Sequence, residues 1–315
     1  MRGVYGERIG QALVNKATIS FARMRVGATP LELLYRSQVG PVGPVGMAGV
    51  WYRGRRVMGL DGSTFDVADE QANAQYFGYP GASRGQAACP QLRFCALAEC
   101  GTHTLIGAQC TPYGTGEHTL AQHVLSAVDG TMWLLADRGF VGYCLWQRAE
   151  QTGAKLLFRV RHNQVLPVHE HLADGSYLST LYENPKARRA KQGRSVRVIE
   201  YPLTQGGEVY RLITNELDPA QAPAQELAAL YQRRWKVEMA LGEVKTQLGG
   251  SLALRSKKPD LVIQEFYALL IAHAAIRKLM TEAAARSEAA SEDLSFIHTV
   301  HVLKRRLPAQ AALPP

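Results

Sequence analysis

The spacing of apolar residues divides the 315-residue chain into alternating strand-like and helical stretches. Helical spacing runs from Ala17 to Ser37, and the breaker-rich PVGPVGMAGV from Pro41 reads as a linker. RRVMGLDGSTFDV reads as a strand ending in a turn at Asp61-Gly62. QLRFCALAEC and HTLIGAQCTP follow as two more strands, joined by a short turn at Gly101. GEHTLAQHVLSAV is helical, and TMWLLADRGF is an unbroken apolar run that stops at Asp137, as in a strand buried on both faces. VGYCLWQRAEQTG returns to helical spacing and KLLFRVR to a strand. This order predicts a mixed α/β sheet flanked by helices.

From His162 to Ile213 the character changes. Short strand-like pieces (SYLSTLY, SVRVIEYPL, EVYRLITN) sit between turns, and the centre carries Lys186, Arg188, Arg189, Lys191, Arg194 and Arg197. A long helix is expected from Pro223 to Leu248, and another over LVIQEFYALLIAHAAIRKLMTEAAARS. The expected organisation is therefore a helical segment and linker over 1–50, the first part of an α/β domain over 51–161, a β-rich basic insertion over 162–213, and the rest of the domain with C-terminal helices over 214–315.

Composition narrows the classes. Lys and Arg number 36 against 27 Asp and Glu, and the resulting +9 (pI near 9.4) favours a polyanionic partner, nucleic acid or an acidic membrane. No run approaches the ~18 apolar residues of a membrane span. The stretch from Leu261 is interrupted by Gln264, Glu265 and His273 and reads as a buried helix. MRGVYGERIG offers no secretory signal. Cys89, Cys95, Cys100, Cys110 and Cys144 form no C-x-x-C pair and are expected as small core residues in a reducing cytoplasm.

Three acids stand where chemistry is expected. Asp61 and Asp137 end the first and fourth strands, and strand carboxyl ends face the ligand crevice of open α/β sheets. Two such carboxylates repel unless a cation sits between them, and hard oxygen ligands suit Mg²⁺ or Mn²⁺. Glu238 lies in the helix YQRRWKVEMALGEVK. At 100° per residue, Tyr231, Arg234, Glu238 and Lys245 fall on one stripe ~60° wide. A phenol, a guanidinium, a carboxylate and an ammonium make a poor core stripe, but they can present a metal ligand among phosphate-binding groups.

The spacing Tyr-x-x-Arg-x-x-x-Glu-x-x-x-x-x-x-Lys over Tyr231 to Lys245 resembles the signature of the insertion-sequence-four family of bacterial DDE transposases. DGSTFDVAD from Asp61 resembles its first-aspartate motif, LLADRGF from Leu134 its second, and RLITNELDPAQAPAQELAALYQRRWKVE the approach to its helix. The similarity runs from Lys16 to Leu307. It implies an RNase H-like sheet with a β-rich insertion before the glutamate helix. It implies Asp61, Asp137 and Glu238 as catalytic residues holding two Mg²⁺ (or Mn²⁺) ions, with no small-molecule cofactor. The implied reaction is cleavage of double-stranded DNA at transposon ends, then joining of the 3′-hydroxyl to target DNA, by a homodimer on the DNA. Tyr231, Arg234, Lys245 and Arg138 would meet the phosphate backbone. Arg188, Arg189 and Arg194 of the basic insertion are expected on DNA as well. Segment 1–50 would be a shortened remnant of the helical region that binds terminal repeats.

Plainer readings exist for single residues. Asp-Gly alone is a turn signal and Asp137 alone a helix cap. Asp66, Asp69 and Glu70 compete with Asp61, and Asp69 reads as a turn residue. Trp235 reads as a core anchor. Relatives that stack a flipped base use an insertion tryptophan, and none of Trp51, Trp133, Trp146 and Trp235 lies in the insertion, so a tyrosine such as Tyr177 or Tyr182 would replace it. Two other functions fit the same residues: a catalytically idle remnant that binds DNA or pairs with a full-length copy as an inhibitor, and an RNase H-like metal nuclease.

Overall fold

The computed structural model describes residues 15–82, 85–202, 209–248, 253–287 and 293–310. Residues 1–14 of the N-terminal segment and 203–208 of the insertion lie outside the described residues. The single helix expected first is two, α1 (Lys16–Val26) and α2 (Thr29–Gln38), because Gly27 at φ 70° turns the chain between them. Then come β1 (Trp51–Tyr52), β2 (Arg55–Val67), α3 (Gln71–Phe77), β3 (Gly81–Ala82) and β4 (Gly85–Gln86). They are followed by β5 (Gln91–Glu99), β6 (Leu105–Pro112), α4 (Glu117–Val124), β7 (Met132–Ala136), α5 (Tyr143–Gln151) and β8 (Lys155–Val160). The 162–213 block holds β9 (Glu170–His171), β10 (Tyr177–Tyr182), α6 (Pro185–Arg189) and β11 (Gly193–Pro202), and runs into β12 (Val209–Thr214). The chain continues through α7 (Ala224–Gln232), α8 (Trp235–Gly242), a π-helical turn (Glu243–Leu248), β13 (Ala253–Leu254), α9 (Pro259–Ser287) and α10 (Phe296–Gln310).

One sheet organises the molecule, in the order β6-β5-β2-β7-β8-β12-β11-β10-β9. β6, β5 and β2 form an antiparallel meander, and β7 and β8 run parallel to β2. That is the RNase H-like arrangement. The strands of the basic block do not form a layer of their own; they extend the sheet antiparallel from β8.

Alternation along the strands feeds two faces. Leu134 and Ala136 point with Met58 and Leu60 to Leu120 and Val124 of α4 and Trp146 of α5. Trp133 and Leu135 point the other way, to Leu227 and Leu230 of α7. α8 and α9 cover the meander on that second side, through Val237, Phe266 and Leu270. All five residues of β7 are buried, as its unbroken apolar run predicts. α9 is the one helix among the described residues long and apolar enough to cross a membrane, and here it packs Phe266, Tyr267 and Leu270 against the sheet.

Candidate active site

Parallel pairing of β2 with β7 ends at Leu60↔Ala136, so Asp61 and Asp137 are the next residues in register on adjacent strands. Asp137 follows the last residue of β7 directly, with Arg138 exposed in the single turn after it. Asp61 is placed differently from its sequence expectation. Asp61-Gly62 is no turn: β2 runs on to Val67, and Gly62 pairs with Cys95 of β5. Ladder pairing with β5 overrides the local turn signal. The Asp61 carboxylate accepts the Gly62 N–H at 2.8 Å. Its competitors point elsewhere, Asp66 accepting from Gln91 and Asp69 from Tyr79.

The signature helix is also not continuous. It divides into α7, α8 and the π turn, and still delivers its polar stripe to Asp61 within β2 and Asp137 at the end of β7. The Tyr231 hydroxyl donates to Asp137 Oδ1 at 3.2 Å. Arg234 donates from Nη2 to Glu238 Oε1 at 2.7 Å and from Nη1 to Asp61 Oδ2 at 3.3 Å, and so spans two of the three acids. Lys245 Nζ donates to Ser63 Oγ at 3.0 Å, two residues along β2 from Asp61. α8 comes this close because β2 carries a glycine where they meet: a Cβ at Gly59 would collide with Val237.

Burial pushes the Asp61 carboxyl up to about 6. The Gly62 N–H and Arg234 pull it down, while the Glu238 and Asp137 charges push it further up. Ion pairing holds Arg234 charged despite its burial. Among the described residues, no three His, Cys, Asp or Glu side chains surround one point as they stand. The donor chemistry nevertheless fits a hard divalent cation: three carboxylates, two of which push the Asp61 pKa up, with a guanidinium already between two of them.

The family model described as "Transposase DDE domain" matches residues 52–274, the span holding all three acids. The chain belongs to the DDE transposase family. Among curated relatives, it is 27% identical over 237 residues to "Transposase InsG for insertion sequence element IS4" of Escherichia coli (strain K12), covering 73% of this chain and 53% of that protein. It is 29% identical over 165 residues to "Putative transposase InsZ" of the same organism, covering 52% of this chain and 53% of that one. The chain thus spans about half the length of the curated relatives it matches. A solved synaptic complex of piggyBac transposase with hairpin DNA is similar at 12% identity and a TM-score of 0.48, over 81% of this chain and 52% of that one.

Two residues beside the acids of this DDE domain escape a reading of motifs. Arg159, on β8, lies with Nη1 3.8 Å from Asp137 Oδ1 and its guanidinium carbon 3.6 Å from the centre of the Tyr210 ring. A lone arginine inside the apolar run KLLFRV was the available signal, since a charge there needs a partner. Tyr210, on β12, also meets Tyr231 edge-on. Tyr210 is thus linked to Asp137 through Arg159 and Tyr231. Tyr177 and Tyr182 lie on β10, three strands beyond β8, and the Tyr177 hydroxyl donates to Glu200.

Other expectations change as well. Trp235 is no core anchor: it is 58% exposed on α8, beside the also exposed Met239. Arg197 is fully buried, held by Asp174, Ser176 and the Ala222 carbonyl, so it is a structural member of the basic block. Arg188 and Arg189 are exposed on α6, and Arg194 pairs at 3.6 Å with Glu150. Strand spacing sets α6 on the order of 15–20 Å along the sheet from the acids. Cys95, Cys100 and Cys110 are buried as expected, Cys89 is half-buried and Cys144 is exposed.

Proposed function

We propose that this protein is a DNA transposase that cleaves phosphodiester bonds at transposon ends and transfers the freed strand into target DNA. One observation carries the reading: the side chains of one polar stripe converge on two acids in register where the parallel pairing of β2 and β7 ends, Arg234 reaching Asp61 and Glu238 while Tyr231 reaches Asp137. Asp61, Asp137 and Glu238 are the residues that would hold Mg²⁺ or Mn²⁺, two ions to a site. When bound, such ions lower the pKa of an attacking water or 3′-hydroxyl and stabilise the leaving oxygen.

The remaining steps belong to this chain's own groups. Arg234 and Lys245 supply fixed positive charge for the scissile strand's phosphates, and Arg234 exchanges its carboxylate partners for phosphate oxygens as the strand arrives. The Tyr231 hydroxyl, whose pKa burial raises, stays protonated and donates, orienting Asp137. Tyr210, backed by Arg159, offers an aromatic wall beside Asp137 for a base near the cleaved end. Exposed Arg138, Arg188 and Arg189, with the half-buried Arg194, extend the phosphate-binding surface, and a homodimer on DNA would bring two ends together.

A duplex bearing an inverted repeat taken from the gene's own flanks tests this. With Mg²⁺ it should be nicked at the end and then joined to target DNA. Binding without any cleavage would sink the proposed activity, and cutting that ignores the repeat would favour a general nuclease.

A further inference from the structure

A buried ionic cluster lies on the far side of the helix from the acids. Glu243, first residue of the π turn, accepts from His273 Nε2 at 2.9 Å and Arg277 Nε at 2.9 Å, and Arg277 Nη2 also contacts its other oxygen. His103, in the β5–β6 turn at φ 60°, has its Nδ1 2.8 Å from Arg277 Nη2 and 3.2 Å from Glu243 Oε1. All four side chains are nearly inaccessible to solvent. Two histidines and a carboxylate are metal-ligand types, but the Arg277 guanidinium already supplies the positive charge among them. Burial alone raises the Glu243 pKa, and the histidine contacts and Arg277 charge outweigh it, keeping the carboxylate ionised. Burial keeps His273 neutral.

The cluster has a geometric consequence. π turns are uncommon, are less favourable than α-helix, and need something to hold them. Residues two apart on a helix point to opposite sides. With Glu243 fixed toward α9 and the β5–β6 turn, Lys245 is directed to the opposite side, where its Nζ meets Ser63 of β2. We propose that Glu243, paired with Arg277, is a positioning residue that holds the π turn and thereby aims Lys245 at the β2 edge of the acidic site. The inference rests on the proposed DNA chemistry for its purpose but not for its geometry.

The test separates the two. Glu243→Leu with Arg277→Met removes the pair without stranding a buried charge. In a Ser63→Cys background of the full chain, a short amine-to-thiol cross-linker should join position 63 to Lys245, seen as one linked peptide pair by mass spectrometry. The pair-deleted protein, with circular dichroism and a cooperative melt like the parent's, should lose that product down to the level of a Lys245→Ala control. An undiminished yield overturns the proposal. Glu243→Gln, which keeps the side-chain volume, serves if the double variant does not fold: a reduced yield supports the proposal and a parental yield overturns it. On an end-bearing duplex, pair deletion and Lys245→Ala should weaken binding by the same factor, with no further loss when combined; additive losses overturn the proposal. If Lys245→Ala leaves DNA affinity unchanged while the cross-link still depends on Glu243, the DNA-contact reading falls and the positioning role stands.

Discussion

Val237 of α8 rests on the bare backbone of Gly59, two residues before Asp61 on β2 and one residue before Glu238 on the helix. This contact sets how near the third acid comes to the first. In Gly59→Ala the new methyl must push α8 outward, costing about 1–3 kcal/mol of stability and moving Glu238 from Asp61. Cleavage of an end-bearing duplex should fall by on the order of a hundredfold, while the affinity measured by electrophoretic shift stays near parental. Parental cleavage would mean that the contact does not set the site.

Glu238 itself is 39% exposed at the side chain and bonded to Arg234, so its loss costs little packing. Glu238→Ala should leave the melt within about 1 kcal/mol of parental and abolish cleavage, while DNA binding persists. In divalent-ion titrations followed by thermal shift, the stabilisation seen in the parent should largely disappear. Retained cleavage would remove Glu238 from the site.

Asp61 gives a pH signature. Its folded-state pKa, pushed up to about 6, stands above the ordinary carboxylate value, so folding favours its protonated form. The stability it contributes is fully present below the unfolded value near 3.9 and is lost as pH rises through about 6. Without divalent ions, Asp61→Asn should therefore raise stability at pH 7.5 by on the order of 2 kcal/mol, seen as a higher melting temperature, and change it little at pH 4. A lower melting temperature at pH 7.5 would show that the Arg234 pairing outweighs burial. Cation binding must displace the proton, so divalent affinity in the parent should weaken by about tenfold per pH unit below 6.

The parts of this site legible in the sequence are those fixed by local periodicity. The apolar run ending at Asp137 suits a strand covered on both faces, and the Tyr231–Lys245 stripe points one way under near-helical geometry. The parts that were not legible depend on distant partners. Asp61-Gly62 looks like a turn until β5 pairs beside it, and the π turn depends on Glu243 meeting His273 and Arg277. Trp235 looks like a core residue, but its side of α8 faces outward. The basic run Lys186 to Arg197 gave no hint that its last arginine faces inward, because the partners of Arg197 lie at Asp174 and at the start of α7.

That difference within the basic run can be measured. Arg197 reaches Asp174 Oδ2 at 2.6 Å from a fully buried position, and Asp174 in turn accepts the Ala224 N–H that opens α7. Arg197→Ala leaves that carboxylate without its countercharge and loosens the base of the helix carrying Tyr231; it should cost about 3 kcal/mol or more. Arg188 and Arg189 are exposed on α6, and replacing either with alanine should shift stability by less than about 0.5 kcal/mol. If they meet phosphates, each replacement should instead reduce the slope of log K against log salt by about 1. Measuring DNA affinity between low and moderate salt for the three variants, beside their denaturant midpoints, sorts them. A parental salt slope in both exposed variants would remove α6 from the DNA surface, and a stable Arg197→Ala protein with an altered slope would move Arg197 onto it.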